Sequence, residues 1–320
     1  MFQGVYGVGV QKPLNGLMNV LCGVRGIFIR VFMLVGVTMR LSPYDEMKIH
    51  LTEALPKSLH QFFPKKWEKV GDVVVVRFSD ELSEFESVVG KILAKVLKCR
   101  SVVREVSTIS GDLRLPDAKV IFGDKNSETV HKENGIYFAL DPCKVMFSSG
   151  NMDERIRMAN IASEGEIVVD MFAGIGYFSI PLAVYSRPKK VFCCELNPVS
   201  ADFLKKNCML NGVEDCVEIR SGDCRDVCPK DVADRVLMGF FGGTKEFLPT
   251  AFSALKKKGG MLHFHEVFFE EEVPEGVEQM LSSGASKYKR NLVVESLRVV
   301  KSTAPRMVHV VCDCEVSGSV

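Results

Sequence analysis

From Ser42 the apolar positions fall at helical spacing, with Pro43 in the first turn and Ile49, Leu51, Leu55 and Leu59 following. Trp67 to Phe78 carries the run Val73-Val74-Val75-Val76, whose β-branching predicts a strand. Glu81 to Leu97 returns to helical spacing, with Phe85, Val88, Val89, Ile92, Leu93, Val96 and Leu97 on one broad face. Val102 to Ile109 is mixed. Glu128 to Leu140 places Asn134-Gly135 between β-rich segments, and Asn-Gly readily takes the two left-handed positions of a tight hairpin. Residues 39–140 are expected to form a small α+β domain.

From Asn151 the texture changes. A helix over about Asp153–Ala162 precedes the buried strand Glu166-Ile-Val-Val-Asp170, then a glycine-rich turn and a helix to about Tyr185. Strands follow at Val191–Cys194, Val217–Ile219, Arg235–Met238 and Gly260–His265, with helices at Val199–Asn211 and Lys245–Lys256 among them. A helix over 275–284 and strands Ser296–Lys301 and His309–Glu315 close the chain. Such alternation predicts a parallel, Rossmann-like α/β sheet over 141–320.

Residues 1–38 fit neither domain. They hold seven glycines, three basic residues and no acid, and their apolar run Ile27–Val37 is too short to span a bilayer. Met39 is therefore favoured as the start, with 1–38 an untranslated extension. No membrane association is expected. The count of 11 cysteines is odd, and Cys193-Cys194 lie inside an apolar run, which argues for buried thiols in a reducing cytoplasm. Cys216, Cys224 and Cys228 lack the paired spacing of a zinc site, so no metal is expected.

The 41 basic and 40 acidic residues exclude a strongly basic polyanion binder. Residues 39–140 hold 16 basic against 15 acidic residues and 141–320 hold 22 against 25, so any nucleic acid must meet a local basic stripe. Candidates are Lys65-Lys66-Trp67, Lys256-Lys257-Lys258, Lys287-Tyr-Lys-Arg290, Arg298 and Lys301. A modest salt slope is expected.

The chemistry gathers at strand ends. Asp170-Met-Phe-Ala-Gly174-Ile-Gly176-Tyr-Phe178 follows the first strand of the parallel sheet and opens a helix, where ligands of such sheets bind. Gly174 and Gly176 allow the tight turn and close approach; the third glycine of the dinucleotide pattern is Ser179. Glu195 ends the second strand, where a carboxylate can accept both ribose hydroxyls. Asp223 follows the third, where one can take an adenine amino group. Three acids on successive strand ends suit a cofactor without phosphates to repel them. That favours S-adenosylmethionine (AdoMet) over a nicotinamide dinucleotide.

At these residues the chain resembles the tRNA wybutosine-synthesising protein 2 family in its compact, archaeal-like form. The resemblance runs from about Leu41 to Val316. It is carried by Phe147-Ser148-Ser149-Gly150-Asn151, Glu154-Arg155, Arg157 and the Asp170–Phe178 loop. Further strings are Pro64–Asp72, His131–Ile136, Ala233–Gly239, Leu262-His-Phe-His265 and Val300–Pro305. The family resemblance implies transfer of the 3-amino-3-carboxypropyl group of AdoMet to a tricyclic guanosine derivative 3′ of the anticodon in tRNA-Phe, releasing 5′-methylthioadenosine. It implies cofactor contacts from Ser148, Arg155, Asp170, Phe172, Ala173, Gly174, Gly176, Glu195, Asp223 and Cys224, and a partner tRNA. The family usually has Asn at Cys224, where a backbone N–H contact would survive, and Tyr at Thr303. A monomer is expected.

The related tRNA guanine-N1 methyltransferases share the scaffold but keep an Asn-Pro element after the fourth strand. This chain has Met238-Gly-Phe-Phe-Gly-Gly-Thr244, with no side-chain acceptor to hold a ring nitrogen for methylation. Two further functions fit the sequence less well: an inactive tRNA-binding module and, more distantly, a nicotinamide dehydrogenase. His263 and His265 share one face of the fifth strand, as a base or, by preference, as satisfied structural histidines. Arg157 is read as a tRNA contact or a structural group. No catalytic side chain is assigned; geometry and electrostatics are expected to carry the reaction.

Overall fold

The computed structural model describes residues 41–107, 111, 113–147, 149–240 and 242–318, so the extension 1–38, the start at Met39 and the candidate Ser148 lie outside the described residues. The N-terminal part begins with α1 (Pro43–Ala54), which buries Met47 and Leu51. Strands β1 (Trp67–Val70) and β2 (Val73–Val76) pair antiparallel. The helix α2 (Glu86–Leu97) then crosses over to β3 (Ser101–Glu105), parallel to β2. β4 (Ala118–Gly123) completes a sheet of order β1-β2-β3-β4. Val74, Val76, Leu82, Val89 and Leu93 fill the core between helices and sheet. On the interior strand β3, Arg104 is buried and ion-paired with Asp80 and Glu86.

The hairpin of β5 (Thr129–Glu133) and β6 (Ile136–Leu140) turns on Asn134 at φ 49° and Gly135 at φ 81°, both left-handed as the Asn-Gly signal requires. It stands as its own two-stranded sheet. The expected domain boundary at residue 140 falls after this hairpin, yet its apolar face belongs to the larger core. Ile136, Phe138 and Leu140 pack there with Ile175, Leu204 and Leu237. Burying each such side chain is worth about 1.5–3 kcal/mol.

The larger sheet is built from β7 (Ile167–Asp170), β8 (Lys190–Glu195), β9 (Val217–Ser221), β10 (Arg235–Met238), β11 (Gly259–Phe269), β12 (Asn291–Ala304) and β13 (Met307–Ser317). Its order is β12-β13-β11-β10-β7-β8-β9. β7 to β11 run parallel; β13 is antiparallel to both β11 and β12, so β12 runs with the parallel set. The intervening helices are α3 (Met152–Met158), α4 (Ser179–Tyr185), α5 (Pro198–Asn211), α6 (Cys224–Val227), α7 (Leu248–Ala254) and α8 (Glu275–Lys287). Asn197 caps α5 by accepting from Val199 N at 3.0 Å, and Gly212 ends it left-handed. Strand order reverses between β7 and β10. That switch point is where open α/β sheets leave a crevice at the strands' carboxyl ends. Among the described residues no helix is long and apolar enough to cross a membrane.

Candidate active site

A cavity of about 430 Å³ occupies that crevice. Its floor is the loop after β7. Asp170 ends the strand, 1% exposed, and its Oδ1 accepts from Phe172 N at 3.2 Å while Oδ2 has no hydrogen-bond partner among the described residues. Burial pushes the Asp170 carboxyl up to about 7, and the Glu195 charge adds to the rise. Gly174 is left-handed at φ 57°, and a Cβ there would lie 2.7 Å from the Tyr177 ring. Gly176, at φ 98°, faces the other way, where a Cβ would meet Ile180 at 2.4 Å.

The first wall is Glu195 at the end of β8. Its Oε2 accepts from Gly174 N at 2.7 Å and its Oε1 from Asn197 N at 2.8 Å, so one carboxylate ties the glycine loop to the next strand end. Each oxygen keeps a second lone pair for a ligand hydroxyl. Asp223 caps α6, accepting from Arg225 N at 2.8 Å, and pairs with the Arg225 guanidinium, which lowers its pKa. Cys224 beside it is 4% exposed, and burial pushes its thiol up to about 12, so it is a neutral apolar group. Arg225 also lies over the Phe247 ring at 5.0 Å.

The opposite wall is aromatic. Phe172 stacks on Phe240 at 5.0 Å between centroids and meets Phe247 edge-on at 5.0 Å. Arg114, from the segment after β3, sits over the Phe240 ring, 4.5 Å from its centroid. Arg155, on α3, lines the cavity too, but its Nε and Nη2 donate to Glu133 Oε1 and Oε2, each at 2.7 Å. Burial raises the Glu133 carboxyl, but hydrogen bonds from His131 and Arg155 outweigh it and hold the group at about 2.

Of the expected site residues, Phe172, Ala173, Gly174, Arg155, Glu195, Asp223 and Cys224 line one cavity. Asp170 and Gly176 lie beneath it, the first anchoring Phe172 and the second letting the loop pack on α4 and α5. Ser148 lies outside the described residues. The two histidines of β11 are buried and are not among the residues that line the cavity, and His265 Nε2 has no hydrogen-bond partner among the described residues. His263 is 2% exposed; its Nε2 faces Arg235 Nη1 at 2.6 Å and its Nδ1 faces Asp313 at 2.5 Å. Arginine only donates, so Nε2 accepts and Nδ1–H donates to Asp313. His265 is buried behind Phe178 with His309 at 3.3 Å. Arg157 pairs with Glu154 and Asp313, which ties it into the fold. Among the described residues no group of three or more His, Cys, Asp or Glu could hold a metal.

Several lining residues gave no separate signal in the sequence. Asn151 lies inside the string Phe147–Asn151 and lines the cavity with a buried, unpartnered Oδ1 among the described residues. Arg114 and Leu113 come from sequence far from the strand ends, and Leu113 O accepts from Asn197 Nδ2 at 3.1 Å. Glu266 is not itself a lining residue but takes four backbone N–H groups, two of them from the lining residues Gly242 and Gly243.

Known proteins match this arrangement. The model described as TRM5/TYW2 methyltransferase domain matches residues 129–293, and that described as TYW2 N-terminal domain matches 47–127. The chain belongs to the TRM5/TYW2 family. It is 44% identical over 250 residues, covering 78% of this chain and 97% of the relative, to the tRNA(Phe) (4-demethylwyosine(37)-C(7)) aminocarboxypropyltransferase of Methanocaldococcus jannaschii. P. horikoshii TYW2 in complex with MeSAdo superposes with a TM-score of 0.76 at 35% identity, covering 86% of this chain and 100% of that one. M. jannaschii TYW2 in complex with AdoMet gives 0.66 at 38% identity, covering 79% and 100%. The matched domain model starts at 129, so it takes in the β5–β6 hairpin, as the packing does.

Proposed function

We propose that this protein transfers the 3-amino-3-carboxypropyl group of AdoMet to C7 of 4-demethylwyosine at position 37 of tRNA-Phe, releasing 5′-methylthioadenosine. The observation that carries the reading is the cavity at the switch point. Three carboxylates line it, Glu195, Asp223 and Glu246, and two of its arginines are held by acids, Arg155 by Glu133 and Arg225 by Asp223. Such a wall accepts a nucleoside bearing a cationic sulfonium and offers little to a pyrophosphate.

AdoMet supplies a carbon bonded to a sulfonium, which leaves with the bond pair as a neutral thioether when C7 attacks and sheds its proton. The chain supplies position. Glu195 is set to receive the ribose hydroxyls, and the neutral Cys224 and the Phe172–Phe247 group form an apolar bed for a purine. Asn151 offers a buried acceptor in the same cavity. Orientation of this kind selects which carbon lies within about 3–3.5 Å of the nucleophile, in line with the breaking bond. Met238 to Thr244 has no Asn or Asp to offer a ring nitrogen an acceptor, which supports transfer to carbon over methylation of that nitrogen.

For tRNA we assign contacts to Lys65 and Lys66, both exposed, to Lys287 and Lys289, and to Lys301 beside Gly150. Two of the candidate basic groups are tied into the fold. Lys256 pairs with Asp234 at 2.6 Å, and Arg290 donates to Lys256 O at 2.9 Å and Phe252 O at 3.2 Å. Binding near the anticodon, a monomeric state and a cytoplasmic location are part of the proposal; ten free thiols among the described cysteines support the last. The test is incubation with AdoMet and tRNA carrying the tricyclic precursor. Methylthioadenosine is the expected by-product, and S-adenosylhomocysteine in its place would overturn the reading.

A further inference from the structure

Glu266 lies on β11, 6% exposed, with its carboxylate turned toward the segment that follows β10. Oε1 accepts from Gly242 N at 2.6 Å and from Val267 N at 2.9 Å. Oε2 accepts from Gly243 N at 3.0 Å and Thr244 N at 2.6 Å. One buried carboxylate thus holds three successive N–H groups of a loop, and the charge on the acceptor makes each bond strong. Gly242 and Gly243 have φ of 95° and 107°, so the loop takes a path that other residues follow only under strain. The Thr244 hydroxyl, fully buried, closes the turn by donating to Phe240 O at 2.8 Å.

The same segment is a cavity wall. Gly239, Phe240, Gly242 and Gly243 line it opposite the glycine loop, and Phe240 stacks on Phe172 and carries Arg114 over its ring. Holding the three N–H groups on Glu266 turns them away from the cavity. The wall then meets the acceptor ring as a fixed surface, without donors that would compete for it or repel a sulfonium. A Cβ at Gly242 or Gly243 would meet nothing within 4 Å, so these glycines leave room for a flat ring to come close.

We infer that Glu266 is a positioning residue that sets the regiochemistry of transfer: by clamping the Gly242–Thr244 backbone it fixes where the acceptor ring stops, and so which AdoMet carbon stands in line with it. The inference rests on the proposed aminocarboxypropyl transfer. A role in folding alone would lower the amount of active protein without changing what that protein makes.

The experiment compares wild type, Glu266→Gln and Gly243→Ala for AdoMet affinity by calorimetry, for kcat and KM with precursor tRNA, and for the ratio of methylthioadenosine to S-adenosylhomocysteine. Glu266→Gln keeps the shape but faces a loop N–H with an amide N–H. Gly243→Ala disturbs the loop from its other side, and decides the matter if the first variant fails to fold. The expected result is AdoMet binding within about threefold of wild type, kcat down about tenfold or more with KM little changed, and a lower methylthioadenosine share. Unchanged kcat, or a lower kcat with an unchanged product ratio, would overturn the inference. Wild type that makes no methylthioadenosine would instead sink the proposed function, a separate failure.

Discussion

Replacing Asp170 by Asn tests the electrostatics of the site floor. The carboxyl is 1% exposed, one oxygen has no partner among the described residues, and burial holds its pKa at about 7 against an ordinary 3.8. Between those values the folded protein keeps a proton that the unfolded chain has lost. Stability therefore falls as pH rises from about 4 to about 7 and is level above that. The gap between the two values corresponds to about 4 kcal/mol of lost stability at pH 8. Asparagine cannot ionise, and its amide oxygen can still accept from Phe172 N. The variant is expected to match wild type near pH 4 and to exceed it by up to about 4 kcal/mol at pH 8, roughly 10 °C in Tm. Thermal melts by circular dichroism from pH 4 to 9 measure this directly. Binding of a cationic ligand favours the ionised carboxyl, so AdoMet affinity should rise with pH more in wild type than in the variant. A Tm gain that is flat across the pH range, or a loss at pH 8, would refute the reasoning.

Other perturbations separate the parts of the site. Glu133→Gln leaves Arg155 buried without its bidentate partner and should cost about 3–5 kcal/mol in urea unfolding at pH 7. Because Glu133 is held at about 2, its contribution is complete above about pH 4.5 and is lost as pH falls toward 2, so wild type and variant should converge in acid. Gly174→Ala forces a side chain onto a left-handed residue against the Tyr177 ring, and should weaken AdoMet binding about tenfold or more by calorimetry. Binding of precursor tRNA should lose affinity with salt at a log–log slope of about −3 to −5, the mark of a handful of neutralised phosphates. A slope near −10 would show a phosphate footprint far larger than the surface lysines assigned here.

What could be read from the sequence was whatever local chemistry determines. Val73–Val76 is a strand because β-branching favours one, and Asn134-Gly135 is a hairpin turn because both residues tolerate positive φ. The alternation after Asn151 announced a parallel sheet, and the acids at 195 and 223 stood at strand ends where the cavity indeed lies. The misses are tertiary. β4 was not foreseen because Lys119, Val120, Ile121 and Phe122 show no period-two pattern, and all of its residues are at least partly exposed. The helix expected over Lys245–Lys256 is a 3₁₀ turn at Thr244–Phe247 followed by α7, since Pro249 is accepted only in a first turn. The hairpin's attachment depends on Asn207 and Asn211, which bond the backbone of Ala139 and Tyr137 from α5. Nothing in an Asn on a helix tells which strand it will meet. Arg114 and Glu266 were invisible for the same reason, because their partners are Phe240 and Gly242–Thr244, far away in the chain.

The near-balanced charge of the chain acquires a local meaning at the cavity. Three arginines line it, a number that would draw phosphate if their charges were open to the ligand. Arg155 spends its fork on Glu133 and Arg225 on Asp223, while Arg114 lies over the Phe240 ring. Glu195 turns its two oxygens toward the backbone of Gly174 and Asn197, leaving its charge uncancelled by those neutral donors. The wall is therefore tilted toward accepting positive charge, as a sulfonium needs, although arginines and acids line it in equal number. The proposed tRNA substrate, by contrast, needs positive charge outside the cavity, and Lys65, Lys66 and Lys301 are the groups proposed to supply it. On the proposed reading the same fold favours a cation in its cleft, where Arg155 and Arg225 are each paired with an acid, and leaves exposed lysines elsewhere on its surface for a polyanion.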